Sequence, residues 1–118
     1  MEDCRDWILL ADASNDALAW LQCTTRRDVA MAVVSPRRFV PDYQLRVSRS
    51  ELATLRLTDS SDAEVLAIVG IHDGQVTLNL KAPLVIHLAK RVGRQVVANG
   101  DESLQHLVAT PPNLRQAA

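Results

Sequence analysis

The chain has 118 residues, 13 Lys and Arg against 14 Asp and Glu, a formal net charge of −1 and 47% hydrophobic residues. That is the composition of one folded domain, and it excludes both a disordered chain and a nucleic-acid binder working by bulk positive charge. Two Trp, one Tyr and one Phe are too few aromatics for stacking single-stranded bases.

Short apolar stretches of period two, broken by turn residues, predict an all-β chain. Asp6–Ala13 reads as the first strand, closed by the turn Ser14-Asn15-Asp16. Leu18–Thr24 is the second strand, and Val29–Val34 the third, between the polar turn Thr25–Asp28 and Ser35-Pro36. Pro41-Asp42 marks a turn, and Tyr43–Val47 a short extended piece. Ser48 and Glu51 have the S-x-x-E spacing of a capping box, flanked by Val47 and Leu52 as a hydrophobic staple, which predicts a helix over Arg49–Arg56. Ser61 and Glu64 repeat that spacing, but the β-branched run Val65–Ile71 overrides it in favour of a strand.

Asp73-Gly74 supplies the positive φ angles of a type I′ hairpin turn, after which Val76, Leu78 and Leu80 alternate inward. Pro83 lacks an N–H and belongs at an edge, a bulge or a strand start. Leu84–Leu88 and Arg94–Ala98 are further strands around the basic turn Lys90–Gly93, where Gly93 is expected at positive φ. Asn99-Gly100 is another turn. The expectation is a mainly β fold, a small antiparallel β-barrel-like domain of about seven strands with one short helix. It occupies residues 1–110, with a flexible C-terminal tail at 111–118.

Reactive groups are dispersed. His72, His87 and His106 have no metal-ligand spacing; His72 sits beside a turn and His87 reads as a satisfied strand residue. There is no G-x-S-x-G and no phosphate loop. Asp59/Asp62 and Asp101/Glu102 read as solvated turns. The sequence thus predicts no catalytic, cofactor or metal site, and no enzyme. Cys4 and Cys23 could pair if adjacent in space, but two isolated thiols in such a chain read as reduced, cytoplasmic and structural or inert. The acidic opening Met1-Glu2-Asp3 is not that of a signal peptide, and no apolar run reaches the ~18 residues of a membrane span. Arg26-Arg27, Arg37-Arg38 and Lys90-Arg91-Arg94 fall at turns. On one rim they would form a positive patch for RNA or an acidic protein; otherwise they are the ordinary charges of loop ends.

Four pieces in order are more specific: Trp20-Leu21-Gln22, Pro41-Asp42-Tyr43, Asn79-Leu80-Lys81-Ala82-Pro83-Leu84-Val85-Ile86 and Gly93-Arg94-Gln95-Val96-Val97. With Ser103-Leu104-Gln105-His106 they make the chain, from Trp7 to Leu107, resemble the bacterial flagellar assembly factor FliW family. The resemblance implies a small barrel-like protein acting by protein–protein contact. Its implied partners are a CsrA-like RNA-binding translational repressor, whose block on flagellin synthesis it relieves, and flagellin itself. It implies no direct nucleic-acid partner and no membrane. The expected contact group is the loop-proximal set Phe39, Asp42, Tyr43, Asn79, Pro83 and Arg94. Asn79 and Gln95 either face solvent or have amides satisfied by backbone. FliW-like chains usually carry a segment ahead of the region matching Trp7. If Met1 is the true start, a sheet edge is left open, which invites strand pairing, swapping or a homodimer through that edge; the alternative is a gene start placed too late. The alternative function is an RNA-binding small β-barrel using the Arg-rich turns.

Overall fold

Alternating side chains build seven strands: β1 (Trp7–Ala11), β2 (Leu18–Cys23), β3 (Ala30–Val34), β4 (Ala63–His72), β5 (Gln75–His87), β6 (Val92–Gln95) and β7 (His106–Leu107). The computed structural model describes residues 4–108; the expected tail at 111–118 lies outside the described residues. β1 to β6 follow one another in chain order across a single curled antiparallel sheet, and β7 pairs with β5. The mainly β architecture with one short helix is therefore as the sequence predicts. Among the described residues the sheet is open, with β1 and β6 at the ends of its path.

The segment between β3 and β4 crosses one face and seals it. Tyr43, Phe39, Val40 and Leu45 pack with Leu18, Val34, Leu78 and Leu80. Helix α1 (Arg49–Leu52) and the 3₁₀ turn after it bring Leu52 and Leu55 onto Val85 and Val96. Leu21, Val33 and Leu66 form a separate cluster with Trp7, Met31 and Ile86 around them. The β4–β5 hairpin turns on Asp73 (φ 52°) and Gly74 (φ 76°), both left-handed as a type I′ turn requires.

Several local expectations are corrected. Helix α1 stops after one turn and continues as 3₁₀ over Ala53–Leu55, ended by Arg56 at φ 53°. Ser48 makes no side-chain cap bond. The Glu51 carboxylate instead accepts from the Val97 N–H at 2.6 Å, a tertiary bond that outcompetes the local box. The capping box that does form uses Asp59 and Asp62. Val76–Lys81 and Leu84–Leu88 are not two strands but one, β5, which runs through Pro83. The positive φ of the β5–β6 turn falls on Arg91, at 56°. Gly93 lies inside β6, where a Cβ would stand 3.1 Å from the Val85 carbonyl oxygen.

Cys4 and Cys23 are not free thiols but a disulfide, with Cα atoms 5.8 Å apart. Cys23 lies opposite Trp7 in the β1–β2 ladder, so the segment leading into β1 returns Cys4 to it. The bridge spans a sequence separation of 19, and closing a loop of that size is worth about 3 kcal/mol on chain-entropy grounds. The oxidised chain is therefore expected to show no thiol on titration under denaturing conditions. Reduction is expected to lower its stability to urea by about 2–4 kcal/mol, and Cys23→Ala by a comparable amount.

Candidate functional site

The β4–β5 ladder holds the one irregularity that organises the molecule's other half. Leu66 pairs with Leu84, yet Ile68 pairs with Asn79, so Ala67 alone faces Leu80, Lys81, Ala82 and Pro83. A bulge of this size strands backbone groups that a regular ladder would pair. Each is met by a side chain or a neighbouring loop. Asn79 Oδ1 accepts from the Ala82 N–H at 2.9 Å. Gln95 Nε2 donates to the Ala82 carbonyl at 2.9 Å. The Pro83 carbonyl takes the Val96 N–H at 2.9 Å, and the Lys81 carbonyl takes the Ala98 N–H at 2.8 Å. The N–H groups of Leu80 and Lys81 both donate to the Ser103 carbonyl. The sole Tyr, Tyr43, donates its hydroxyl to the Leu80 carbonyl at 3.1 Å. Pro83 is tolerated mid-strand because the bulge asks no N–H of it.

Lys81 completes the brace. Its Nζ donates to the Ala98 and Gly100 carbonyls, each at 2.6 Å. Charge-assisted bonds of this kind are stronger than neutral ones, and they hold the strand exit after β6 against the bulge. Glu51 ties α1 to the same exit through the Val97 N–H, and its other oxygen stands 3.7 Å from Arg94. That ion pair is half-exposed, so its direct contribution to stability is small and its effect is to orient Arg94. Glu102 lies beside Tyr43; a Cβ on Gly100 would collide with its carboxylate. Burial first, and the Glu102 charge second, push the Tyr43 hydroxyl above its ordinary pKa.

The six residues expected to form a contact group therefore divide. Tyr43 and Pro83 are buried; Phe39 and Asn79 are half-buried; Asp42 and Arg94 are exposed. Tyr43, Asn79, Pro83 and Arg94 meet around the bulge, through Leu80, Ala82, Val96 and the Val85–Arg94 pair. Phe39 packs on the cluster containing Tyr43 and Leu80. Both amides left open by the sequence, Asn79 and Gln95, are satisfied by backbone. Sequence reasoning gave Glu51 only a local capping role and placed Lys81 and Val97 only within the family-like pieces, not in a brace; Val97 is 55% exposed beside it. Their partners lie 17–46 residues away, and no local pattern signals them.

The basic turns do not share a rim. Arg26-Arg27 precede β3 and Arg37-Arg38 follow it, so they sit at opposite ends of that strand. Arg26 pairs with Asp28, Arg38 with Asp16, and Arg37 Nε donates to the Tyr43 carbonyl. A shallow depression of 250 Å³ is lined by Ser61, Asp62, Glu64 and His87. Two of its three titratable groups are committed: Asp62 accepts from Thr58 and the Asp59 N–H, and His87 Nδ1 lies 3.0 Å from the Leu55 carbonyl oxygen. The Thr58 hydroxyl above all holds Asp62 below the usual carboxylate range. Among the described residues no three His, Cys, Asp or Glu converge to hold a metal ion.

The FliW protein family model matches residues 1–108. The chain belongs to the FliW family. A flagellar assembly factor FliW of Bdellovibrio bacteriovorus is 35% identical over 97 residues, covering 80% of this chain and 55% of that protein. One from Natranaerobius thermophilus is 30% identical over 108 residues, covering 88% of this chain and 72% of that protein. The chain thus spans about half the length of the first relative. A crystal structure of the flagellar assembly factor FliW shares the fold, with a TM-score of 0.83, 24% identity, and coverage of 93% of this chain and 79% of that one. The two most specific FliW-like pieces, Asn79–Ile86 and Gly93–Val97, are the two halves of the braced bulge.

Two outcomes follow from the brace. Lys81→Met leaves the Ala98 and Gly100 carbonyls without their donor and is expected to cost about 1–3 kcal/mol in urea unfolding. Tyr43 is neutral in its bond to Leu80 and its folded pKa is raised. The stability it contributes is therefore intact below its unfolded value near 10.0 and is lost as pH rises through the folded value. Tyr43→Phe is expected to remove about 1 kcal/mol at neutral pH and to flatten the alkaline fall in stability. Tyrosinate absorbance reads this one group directly, since the chain has no other Tyr.

Proposed function

We propose that this FliW family chain is a non-enzymatic, protein-binding regulator that couples flagellin synthesis to flagellar assembly. It binds a CsrA-like RNA-binding translational repressor, and flagellin, in mutually exclusive complexes. The observation that carries this reading is how the family-like residues are used. Asn79, Lys81, Pro83 and Gln95 do not converge on a cavity; they fix backbone. What they fix is a rigid platform with Arg94 and Val97 at its surface, and a preformed surface loses little entropy on binding. On this reading Arg94, Asp42 and Phe39 make direct contacts, and Tyr43, Asn79 and Pro83 hold them in place. The relatives' name, flagellar assembly factor, supports the same reading.

Partners of this kind place the chain in the cytoplasm, where the Cys4–Cys23 bridge is exposed to reduction. Titration calorimetry with and without reductant, against the CsrA-like repressor of the same organism with flagellin as competitor, tests the proposal. Saturable binding that flagellin displaces is expected. Arg94→Ala should weaken it about tenfold or more, as loss of an Arg anchor does. Replacing Arg26, Arg27, Arg37 and Arg38 together with Ser should leave it near parental. Were the chain an RNA binder instead, that quadruple change would abolish a strongly salt-dependent affinity for RNA. No heat with either protein, from folded chain, sinks the partner-switch reading.

A further inference from the structure

The bend that follows the β6 exit is Asn99-Gly100. Of Asn15, Asn79, Asn99 and Asn113, only Asn99 precedes a Gly. With no Cβ to hinder it, the nitrogen of a following Gly can reach the carboxamide carbon of the Asn before it. Asn15 and Asn79 are guarded against such chemistry. Asn15 is 4% exposed, with Oδ1 accepting from the Ala17 N–H, and Asn79 Oδ1 accepts from the Ala82 N–H. Asn99 is exposed. Among the described residues neither its carboxamide nor the Gly100 N–H has a hydrogen-bond partner.

The peptides on either side of this linkage are held. The Asn99 N–H donates to the Arg46 carbonyl at 2.8 Å. Lys81 Nζ donates to the Ala98 and Gly100 carbonyls, and so pins the 98–99 and 100–101 peptides with one ammonium. Among the described residues nothing bonds the 99–100 peptide between them. Bringing the Gly100 nitrogen onto Asn99 Cγ requires that middle peptide to turn as a plane. With both neighbours fixed, it turns only when the clamp opens locally.

We propose that Asn99 is a self-modification site, deamidated by the Gly100 nitrogen at a rate set by opening of the Lys81 clamp. The N–Cγ bond forms, the Cγ–Nδ2 bond breaks, and ammonia leaves with the proton that Gly100 gives up. Water then opens the cyclic imide at one carbonyl or the other, giving aspartate or isoaspartate, with no change of oxidation state. The product opposes the brace in two ways. Isoaspartate adds a methylene to the main chain between the Ala98 and Gly100 carbonyls, so the spacing that one ammonium fits is lost. The new carboxylate also lies close in sequence to Glu102, whose side chain packs against Gly100 with Oε1 buried and unpartnered among the described residues. Conversion therefore loosens the strand exit beside Val97, whichever partner the platform binds.

Peptide mapping by tandem mass spectrometry, on the full chain before and after incubation in warm, mildly alkaline buffer, reads this without any partner protein. A carboxylate in place of the amide is expected at Asn99 ahead of Asn15, Asn79 and Asn113. The product should accept a methyl group from an isoaspartyl-specific methyltransferase. The chain unfolded in urea, which has no clamp, should convert faster than the native chain. In native buffer Lys81→Met should convert about fivefold or more faster than the parent. Cys23→Ala weakens the fold at β2 but leaves the clamp, and should stay within about twofold of the parent. Asn99→Gln should not convert, because it would have to close a less favourable six-membered ring. Circular dichroism checks each fold, and if Lys81→Met unfolds, the native and urea-unfolded parental rates carry the test. No conversion at Asn99 in the native chain, while the unfolded chain converts fully, overturns the proposal. So do equal native and unfolded rates, a folded Lys81→Met no faster than the parent, or a Cys23→Ala as fast as Lys81→Met.

Discussion

The fold depends on what happens to the backbone between Asn79 and Pro83. A regular thirteen-residue strand would give β5 one straight neighbour on each side. The bulge bends it, so that β4 follows one edge throughout while the other edge serves β7 early, the Ser103 carbonyl in the middle and β6 late. The bend is affordable only if every displaced N–H and C=O finds a partner, since a buried group left unpaired costs about as much as a whole hydrogen bond contributes. Three of those partners are side chains, Asn79, Gln95 and Tyr43, and the backbone of Ser103, Val96 and Ala98 supplies the rest. Their roles are coupled through shared backbone: Gln95 and Asn79 both act on Ala82, while Tyr43 holds Leu80 and the Lys81 ammonium holds Ala98, whose N–H bonds back to Lys81.

This coupling explains why two separated stretches of sequence behave as one unit. Asn79–Ile86 provides the bulge and Gly93–Val97 the cross-brace. Gly93 lets β6 approach the Val85 backbone closely enough for Gln95 to reach Ala82. Glu51, from a helix of a single turn, then fixes the far end of the brace at Val97. A helix so short has little stability of its own. It is held by tertiary contact, through Leu52 and Leu55 in the core and Glu51 at the rim.

The same distinction between local and distant partners decides what was legible in the sequence. The Asp73-Gly74 hairpin and the mainly antiparallel β class follow from period and turn chemistry within a few residues. The capping box at Ser48 did not form because the competing donor, Val97 N–H, is 46 residues away. Pro83 read as an edge, a bulge or a strand start, and the choice of the bulge was not legible because the acceptor and donors that let the strand continue come from Gln95, Val96 and Asn79. Cys4 and Cys23 read as two isolated thiols because their closeness is a property of the β1–β2 register. Tyr43, Asn79, Pro83 and Arg94, grouped from the sequence, do meet around the bulge. That Tyr43 and Pro83 are buried while Arg94 is exposed was not legible, since a Tyr in a turn carries no local sign that its hydroxyl is aimed at a carbonyl 37 residues on.

The two halves of the sheet thus present two kinds of surface. Around the bulge, polar groups are spent on geometry, and what reaches solvent is sparse and held still: Arg94, Gln95, Val97. Such a surface suits a specific partner, because its shape is set before contact and charged groups near it discriminate among candidates. At β1 the surface is main chain and aliphatic side chain, which discriminates poorly by chemistry and well only by register.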